Sequence, residues 1–136
     1  MTTNTILASE QTANCLFCRS PNRRVLAKNK LGYAYLDGHP VTEGHALVVP
    51  WRHAETYFDL DAEEMSALND LLCQAREIIV AEDRSVTGFN IGMNCGASAG
   101  QSIAHCHIHL IPRRQGDVAD PRGGVRSVIP DKRRYD

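Results

Sequence analysis

Residues 105–114 read HCHIHLIPRR, which places three histidines at every second position of an otherwise apolar stretch. In a β-strand, side chains at alternate positions point to one face, so His105, His107 and His109 would lie side by side. On an α-helix they would not share one face, because His107 would lie on the opposite side of the axis from His105 and His109. The stretch therefore predicts a strand that buries one face and presents imidazoles, which titrate near about pH 6.5, on the other.

The composition is that of a single globular domain. The chain has 136 residues, 43% of them hydrophobic, and a formal net charge of -1, so nothing predicts an overall attraction to nucleic acid or membranes. No apolar run approaches the roughly 20 residues of a membrane span, and the N-terminus is polar rather than signal-like. Five cysteines, two of them in the pair Cys15-x-x-Cys18, favour metal binding or free thiols over disulfides. We expect a cytoplasmic protein.

The pattern around the histidine stretch predicts four further short strands and one long helix. The strands are expected at residues 25–28, 33–37, 45–49 and 89–94. Asp61 and Glu64 have the spacing of a capping box, and apolar residues then recur with a helical period to about Ala81. These elements predict an α+β domain, in which one long helix packs on an antiparallel five-stranded sheet beside a short N-terminal element.

Three segments divide the chain. Residues 1–14 are expected to form a flexible lead, residues 15–114 the domain, and residues 115–136 a basic C-terminal segment packed near the functional site. The stretch from Arg113 to the C-terminus has seven basic and four acidic residues.

This basic segment has two possible interpretations. It is either a solvated tail, or Arg122 and Arg126 reach over a site filled by phosphate, because a guanidinium group pairs with two phosphate oxygens. Val125, Val128 and Ile129 argue against the whole segment being free in solvent.

Residues 105–111 resemble the motif of the histidine triad (HIT) family of nucleotide hydrolases and transferases, particularly its bacterial members that hydrolyse dinucleoside polyphosphates. The resemblance covers roughly residues 15–114. It includes Leu36-Asp37, Gly44-His45 through Pro50, Gly88-Phe89-Asn90, Asn94 and Gly100-Gln101-Ser102. One departure is Cys106, where the family usually has an aliphatic residue; a thiol facing the packed side behaves as a small hydrophobe.

The three histidines can divide the tasks of phosphoryl chemistry. A neutral imidazole is nucleophilic near pH 7, and attack on an α-phosphate gives a covalent nucleotidyl-histidine. The resemblance implies that His107 is this nucleophile and that His109 binds phosphate oxygens. It also implies that His45 orders the triad, to which His105 belongs.

The resemblance also implies the residues that bind substrate. Asp37 would accept the ribose hydroxyls, and Leu36 would contribute to an apolar base pocket. Asn94 would contact phosphate or ribose. Ser102, preceded by Gln101 in a glycine-rich loop, would contact oxygens of the leaving group or the phosphate.

A structural zinc ion is also implied. Cys15 and Cys18 alone are a weak signal, but His53 and His105 stand where zinc-bearing branches of the family supply two more ligands, which completes a tetrahedral Cys2His2 set. Zinc on His105 would brace the start of the catalytic strand. The alternative is that the triple histidine itself is a metal-binding strand.

We therefore expect an enzyme that cleaves at the α-phosphate through His107. The basic segment favours a dinucleoside polyphosphate substrate, such as diadenosine tetra- or triphosphate. The first alternative is hydrolysis of an adenosine 5'-phosphoramidate with the same His107 and Asp37; the second is a nucleotide-binding scaffold with little turnover. By family analogy, the chain would form a two-fold homodimer through the helix and a sheet edge.

Overall fold

A computed structural model describes residues 15–19 and 23–135, so the predicted flexible lead lies outside the described residues. The elements are β1 (Val25–Lys28), β2 (Gly32–Leu36), β3 (Ala46–Pro50), α1 (Ala62–Glu82), β4 (Val86–Gly92) and β5 (Ile108–Arg114), with a short 3-10 turn at Leu16–Cys18. The strands form one antiparallel sheet in the order β1-β2-β3-β5-β4. The predicted α+β class and the short N-terminal element are confirmed.

Local sequence explains the first hairpin and the start of the helix. The Asn29 side chain accepts hydrogen bonds from the backbone N–H groups of Leu31 and Gly32, both at 3.0 Å, which closes the turn between β1 and β2. At the start of α1, Asp61 and Glu64 each accept a hydrogen bond from the other's backbone N–H, so the predicted capping box is present.

The sheet has two differently covered faces, because side chains alternate along each strand. Helix α1 packs on one face, and the core there includes Ala34, Ala46, Val48, Leu68, Leu71, Ala75, Ile79, Cys106 and Leu110. A second cluster contains Cys15, Phe17, Tyr33, Tyr35, Leu47 and Val49. The turn at Leu16–Cys18 thus covers the β2 and β3 part of the face that α1 leaves free.

Gly32 shows how closely α1 approaches the sheet. A Cβ atom at this position would lie 2.6 Å from the carbonyl oxygen of Val49 and 2.7 Å from a methyl group of Leu68. Any larger residue would push the helix away from β2 and β3.

The histidine strand is shorter than the sequence predicted. β5 begins at Ile108, which is paired with Val48 of β3, so His109 is the one triad histidine that lies within it. His107 lies in the preceding irregular segment, where the backbone N–H of Cys106 donates to the carbonyl of Ala54 at 2.6 Å. The segment therefore pairs with a loop instead of a strand. The predicted alternation is right, because Cys106 is in the helix-side core.

Among the described residues, no helix has the length and apolarity needed to cross a membrane.

Candidate active site and metal centre

His107 is held in one tautomer by its own chain. Its Nδ1 atom lies 2.8 Å from the backbone carbonyl oxygen of His105. Because a carbonyl oxygen can only accept, Nδ1 carries the proton and Nε2 keeps its lone pair. His107 is buried, with 8% of its surface exposed, and its ring centroid lies 5.1 Å from that of His109. Its Nε2 is thus an available nucleophile on an oriented ring.

His45 and His109 form a hydrogen-bonded relay beside it. His45 Nδ1 accepts from the backbone N–H of Val41 at 3.0 Å, so a neutral His45 has its proton on Nε2. His45 Nε2 lies 2.9 Å from His109 Nδ1 and donates to it. The proton of a neutral His109 is then on Nε2, where it can donate to an oxygen of a bound phosphate.

Burial keeps these relay histidines neutral. It lowers the pKa of His45, an effect that the nearby Asp37 carboxylate partly opposes. Burial also lowers the pKa of His109, and the neighbouring rings of His107 and His45 lower it further. Near neutral pH, each of the two rings therefore carries a single proton, which is what the hydrogen bonds from Val41 to His45 and from His45 to His109 require.

Leu36 and Asp37 lie next to this relay. Leu36 is half-buried at the end of β2. Asp37 follows it, and its Oδ2 atom lies 3.5 Å from His45 Nε2. Its Oδ1 atom accepts from the backbone N–H of His39 at 2.8 Å, which fixes the carboxylate. The structure thus brings these two sequence-predicted residues to the same region as the histidines.

Residues 94–102 form a loop that contains three predicted substrate contacts, Asn94, Gln101 and Ser102. These three residues differ in exposure. Asn94 and Ser102 are exposed, and Asn94 lines a cavity with His109. The Gln101 side chain instead holds the loop together. It accepts from Gly96 N at 2.8 Å and donates to the carbonyl of Glu55 at 2.6 Å, with a further bond to Ile103 O. This geometry suits loop bracing better than direct contact with substrate.

The C-terminal segment forms one wall of that cavity of about 560 Å³. Val125, Val128 and Arg133 line it together with His109. Arg122 and Arg126, the two arginines singled out from the sequence, do not line this cavity.

Both of those arginines are engaged within the segment itself. Arg122 is exposed and pairs with Asp120 at 3.3 Å. Arg126 donates to the carbonyl of Lys132 at 3.1 Å and lies over the Tyr135 ring. Sequence reasoning missed Arg133, which nothing in the local sequence distinguishes from its basic neighbours Lys132 and Arg134.

The four residues proposed as zinc ligands converge although they are far apart in sequence. The ligand atoms of Cys15, Cys18, His53 and His105 all lie within 4.8 Å of one another. His105 Nδ1 is 3.3 Å from Cys15 Sγ and 3.1 Å from His53 Nδ1, and Cys18 Sγ is 3.2 Å from His53 Nδ1. Tetrahedral zinc with bonds of about 2.0–2.3 Å separates its ligands by roughly 3.3–3.8 Å.

The surrounding hydrogen bonds also suit a metal. His105 Nε2 donates to the carbonyl of Pro50 at 2.9 Å, which directs the Nδ1 lone pair of His105 toward the two cysteines. Burial and the neighbouring Cys15 raise the pKa of the Cys18 thiol to about 11, so binding of a cation would have to displace this proton. The residues present therefore fit a tetrahedral zinc ion.

Sequence reasoning also missed Phe17, which lies between the two cysteines. Its ring centroid is 4.8 Å from that of His107, and only 2% of the residue is exposed. The signal available in the sequence was a large apolar side chain inside the Cys-x-x-Cys pair.

Curated relatives include several enzymes named for nucleotide substrates. The chain is 42% identical over 95 residues to AP-4-A phosphorylase of Mycobacterium tuberculosis, an alignment covering 69% of this chain and 48% of that relative. It is 33% identical to the asymmetrical bis(5'-nucleosyl)-tetraphosphatase of Schizosaccharomyces pombe, covering 71% and 53% of the two chains. It is 34% identical to the adenosine 5'-monophosphoramidase of Saccharomyces cerevisiae, covering 75% and 64%. The chain thus spans about half to two thirds of the length of these relatives.

Solved structures give the same fold. A HIT family protein from Bacillus anthracis aligns with a TM-score of 0.70 and 31% identity, covering 88% of this chain and 89% of that one. A zinc-bound histidine triad family protein from Mycobacterium smegmatis aligns with a TM-score of 0.65 and 28% identity, covering 80% and 81%. Residues 19–116 match the sequence profile of the HIT domain. With the triad geometry in place, this chain belongs to the HIT family.

Proposed function

We propose that this protein cleaves nucleoside 5'-phosphoryl compounds at the α-phosphate through a nucleotidyl-His107 intermediate. The observation that carries this proposal is the bond from His107 Nδ1 to the His105 carbonyl, which leaves Nε2 as a free nucleophile. In the first step, a bond forms between Nε2 and phosphorus while the bond to the leaving group breaks. In the second, water attacks phosphorus, the N–P bond breaks, and the nucleoside monophosphate is released.

The neighbouring residues would stabilise this reaction. His109 would donate from Nε2 to a nonbridging phosphate oxygen, because its Nδ1 is occupied by His45. Asp37 and Leu36 would bind the ribose and the base, and Asn94 and Ser102 would contact the phosphate or leaving group. A bound zinc ion would fix the His105 side chain, and hence the carbonyl that orients His107.

For the substrate, we propose a dinucleoside polyphosphate. The cavity beside His109 has room for a leaving group, and Arg133 on its wall offers a positive charge. A polyphosphate leaves as a stable anion and needs no proton, so this substrate suits a site in which burial lowers the pKa of both His45 and His109. The M. tuberculosis and S. pombe relatives support this choice.

The second candidate is the phosphoramidase reaction, which the S. cerevisiae relative supports. The amine leaving group would require a proton, and His109 Nε2 is positioned to carry one. Both candidates use His107 in the same way, so they differ in the leaving group alone.

Direct comparison of substrates decides between these activities. We expect turnover of diadenosine tetraphosphate to exceed that of diadenosine triphosphate and of an adenosine phosphoramidate. His107→Ala should lower kcat by at least about 10⁴-fold while nucleotide still binds. Faster release of the amine would favour the phosphoramidase. Binding of nucleotide with no turnover of any of the three would establish the scaffold interpretation.

We also propose that two copies of the chain form a homodimer. β4 lies at the edge of the described sheet, and Ile91 within it is 49% exposed. An edge strand with an exposed apolar residue is suited to pairing with a second copy. Sedimentation should give the mass of a dimer, and Ile91→Lys should shift it toward the monomer; a monomeric wild type would contradict this proposal.

A further inference from the structure

Phe17 connects the metal-binding turn to the triad. It lies in the turn Leu16–Cys18, immediately before Cys18, and is 2% exposed. Its ring centroid lies 4.8 Å from that of His107 and 5.8 Å from that of His105. A single side chain of this turn therefore contacts both His105, one of the four candidate zinc ligands, and His107, the proposed nucleophile.

Phe17 is itself held from several directions. The Tyr33 hydroxyl donates to the Phe17 carbonyl at 2.9 Å, in a buried bond that ties the turn to β2. Tyr35 packs edge-on against the Phe17 ring, with centroids 6.3 Å apart. Cys15 and Cys18 on either side are two of the four candidate zinc ligands. Binding of a metal by these cysteines would fix the backbone on both sides of the ring.

His107 needs such support because, within residues 15–19 and 23–135, its side chain has a single hydrogen bond, to the His105 carbonyl. With one hydrogen bond at Nδ1, the ring can rotate about that contact. Nε2 would then leave the position from which it attacks phosphorus. Phe17 and His109 pack against the ring and restrict this motion. Displacement of a reacting atom by about 1 Å can lower a rate by about 100-fold.

The Phe17 ring also suits the positive charge that develops on His107 during the proposed reaction. Attack by Nε2 on phosphorus leaves the His107 imidazole positively charged, because Nδ1 keeps its proton in the bond to the carbonyl. The face of an aromatic ring attracts a cation that lies within about 6 Å of the ring centroid. The Phe17 and His107 centroids are 4.8 Å apart and the ring planes are tilted by 43°, so the Phe17 ring is close enough to act on this charge.

We propose that Phe17 is a positioning residue for His107, and that the metal-bound Cys15–Cys18 turn holds it against the nucleophile. This inference rests on the proposed nucleophilic role of His107. It makes the metal centre a determinant of kcat through a packing contact, with no direct contact between metal and substrate.

The test compares Phe17→Leu and Phe17→Ala with a matched control. Phe58→Leu removes an aromatic ring that is 80% exposed and packs on Tyr57. We expect kcat for diadenosine tetraphosphate to fall about 10-fold in Phe17→Leu and about 100-fold in Phe17→Ala. KM and the Kd for adenosine monophosphate should stay within about twofold of wild type. Phe58→Leu should match wild type in all of these.

A second readout does not depend on turnover. In protein labelled at histidine, NMR should show that Phe17→Leu shifts the ring signals of His107, while those of His45 move little. Removing the metal with a chelator, with the loss checked by elemental analysis, should shift the His107 signals in the same direction. Circular dichroism and thermal melting establish that each variant is folded.

The outcomes separate this inference from the proposed function. If wild type turns over no substrate but the His107 signals shift in Phe17→Leu, the proposed function is wrong, while the contact between Phe17 and His107 stands. If wild type is active and Phe17→Leu, correctly folded, leaves both kcat and the His107 signals unchanged, the inference is overturned. A raised KM at unchanged kcat would make Phe17 a nucleotide contact and would also overturn it.

Discussion

Two clusters of side chains in this protein have similar compactness but different chemistry. The ligand atoms of Cys15, Cys18, His53 and His105 lie within 4.8 Å of one another, and so do those of a cluster formed by Asp37, His45 and His109. We call the first the metal cluster and the second the relay cluster. Distance alone therefore does not distinguish a metal site from a hydrogen-bonded network.

The difference lies in how each imidazole uses its two nitrogens. In the metal cluster, His105 donates from Nε2 to the Pro50 carbonyl, which leaves the Nδ1 lone pair directed at the cysteines. In the relay cluster, His45 accepts at Nδ1 from Val41 and donates from Nε2 to His109. Both nitrogens of His45 are occupied, so this cluster favours a proton-ordered relay over the alternative of a metal-binding strand.

Loss of the metal cluster should have the largest effect on stability. Cys15→Ser removes a thiolate ligand, and metal binding in such sites is coupled to folding. We expect bound zinc to fall from about one per chain to much less, and the free energy of unfolding to fall by about 3 kcal/mol or more. Elemental analysis and denaturant titration measure both.

Cys73→Ser is the matched control, since Cys73 is an exposed cysteine on α1. It should leave zinc content and stability unchanged. Equal zinc content in the Cys15 and Cys73 variants would show that the metal cluster does not bind zinc.

Loss of the relay cluster should lower kcat and leave the zinc content unchanged. In His45→Phe, the ring volume is kept but both hydrogen bonds are removed, so the tautomer of His109 is no longer defined. We expect kcat to fall about 100-fold with zinc content unchanged. His39→Phe, at an exposed position, should retain wild-type kcat. A His45→Phe variant with normal kcat would remove the relay from the mechanism.

Arg133 should affect substrates according to their charge. In Arg133→Gln, the cavity beside His109 loses one of its two lining arginines, and the other, Arg113, is paired with Asp117. KM for diadenosine tetraphosphate should therefore rise about 10-fold. The Kd for adenosine monophosphate should change by less than about twofold. Arg122→Gln serves as the control because Arg122 pairs with Asp120, which lines this cavity, but does not line it itself. Equal effects of the two substitutions would restore Arg122 as a substrate contact.

Lowering the pH should have the smallest effect, a decrease in the free energy of unfolding that arises from the histidines of the relay cluster. Burial lowers the pKa of His45 and of His109, and the Asp37 carboxylate partly opposes the effect for both. The unfolded chain therefore binds protons below about pH 6.5 that the folded protein does not bind. The free energy of unfolding should fall as pH drops below that value, and then level off below the lowered pKa values.

Denaturant titrations between about pH 7.5 and about pH 5 would measure this slope. The His45→Phe variant should have a shallower slope than wild type, and a steeper one would contradict the assignment.

Sequence patterns predicted the architecture well because they report periodicity. The strand at Val25–Lys28 and the capping box at Asp61 are found where they were expected. The start of β5 was predicted too early, because alternation continues through Cys106 although its backbone pairs with the loop at Ala54. Alternation reports which face is buried, whereas strand pairing depends on the partner.

The candidate site could likewise be predicted only in part. The grouping of Cys15 and Cys18 with His53 and His105 followed from the family resemblance, and the structure brings their ligand atoms together. The packing of Phe17 on His107 could not be predicted, because it depends on how the turn Leu16–Cys18 folds over the sheet.

The C-terminal arginines illustrate a further limit. Whether Arg122 or Arg133 faces the cavity depends on how residues 118–133 fold back over β4, and the sequence there has no regular period. Charge counts identified a basic segment, but they could not assign a role to one arginine.

Trapping of the intermediate tests the central claim most directly. Wild-type protein mixed with diadenosine tetraphosphate and quenched within one turnover should gain the mass of one adenylyl group, on the peptide that contains His107. The label should be absent in His107→Ala. Turnover without any labelled peptide, or a label on a residue other than His107, would contradict the account.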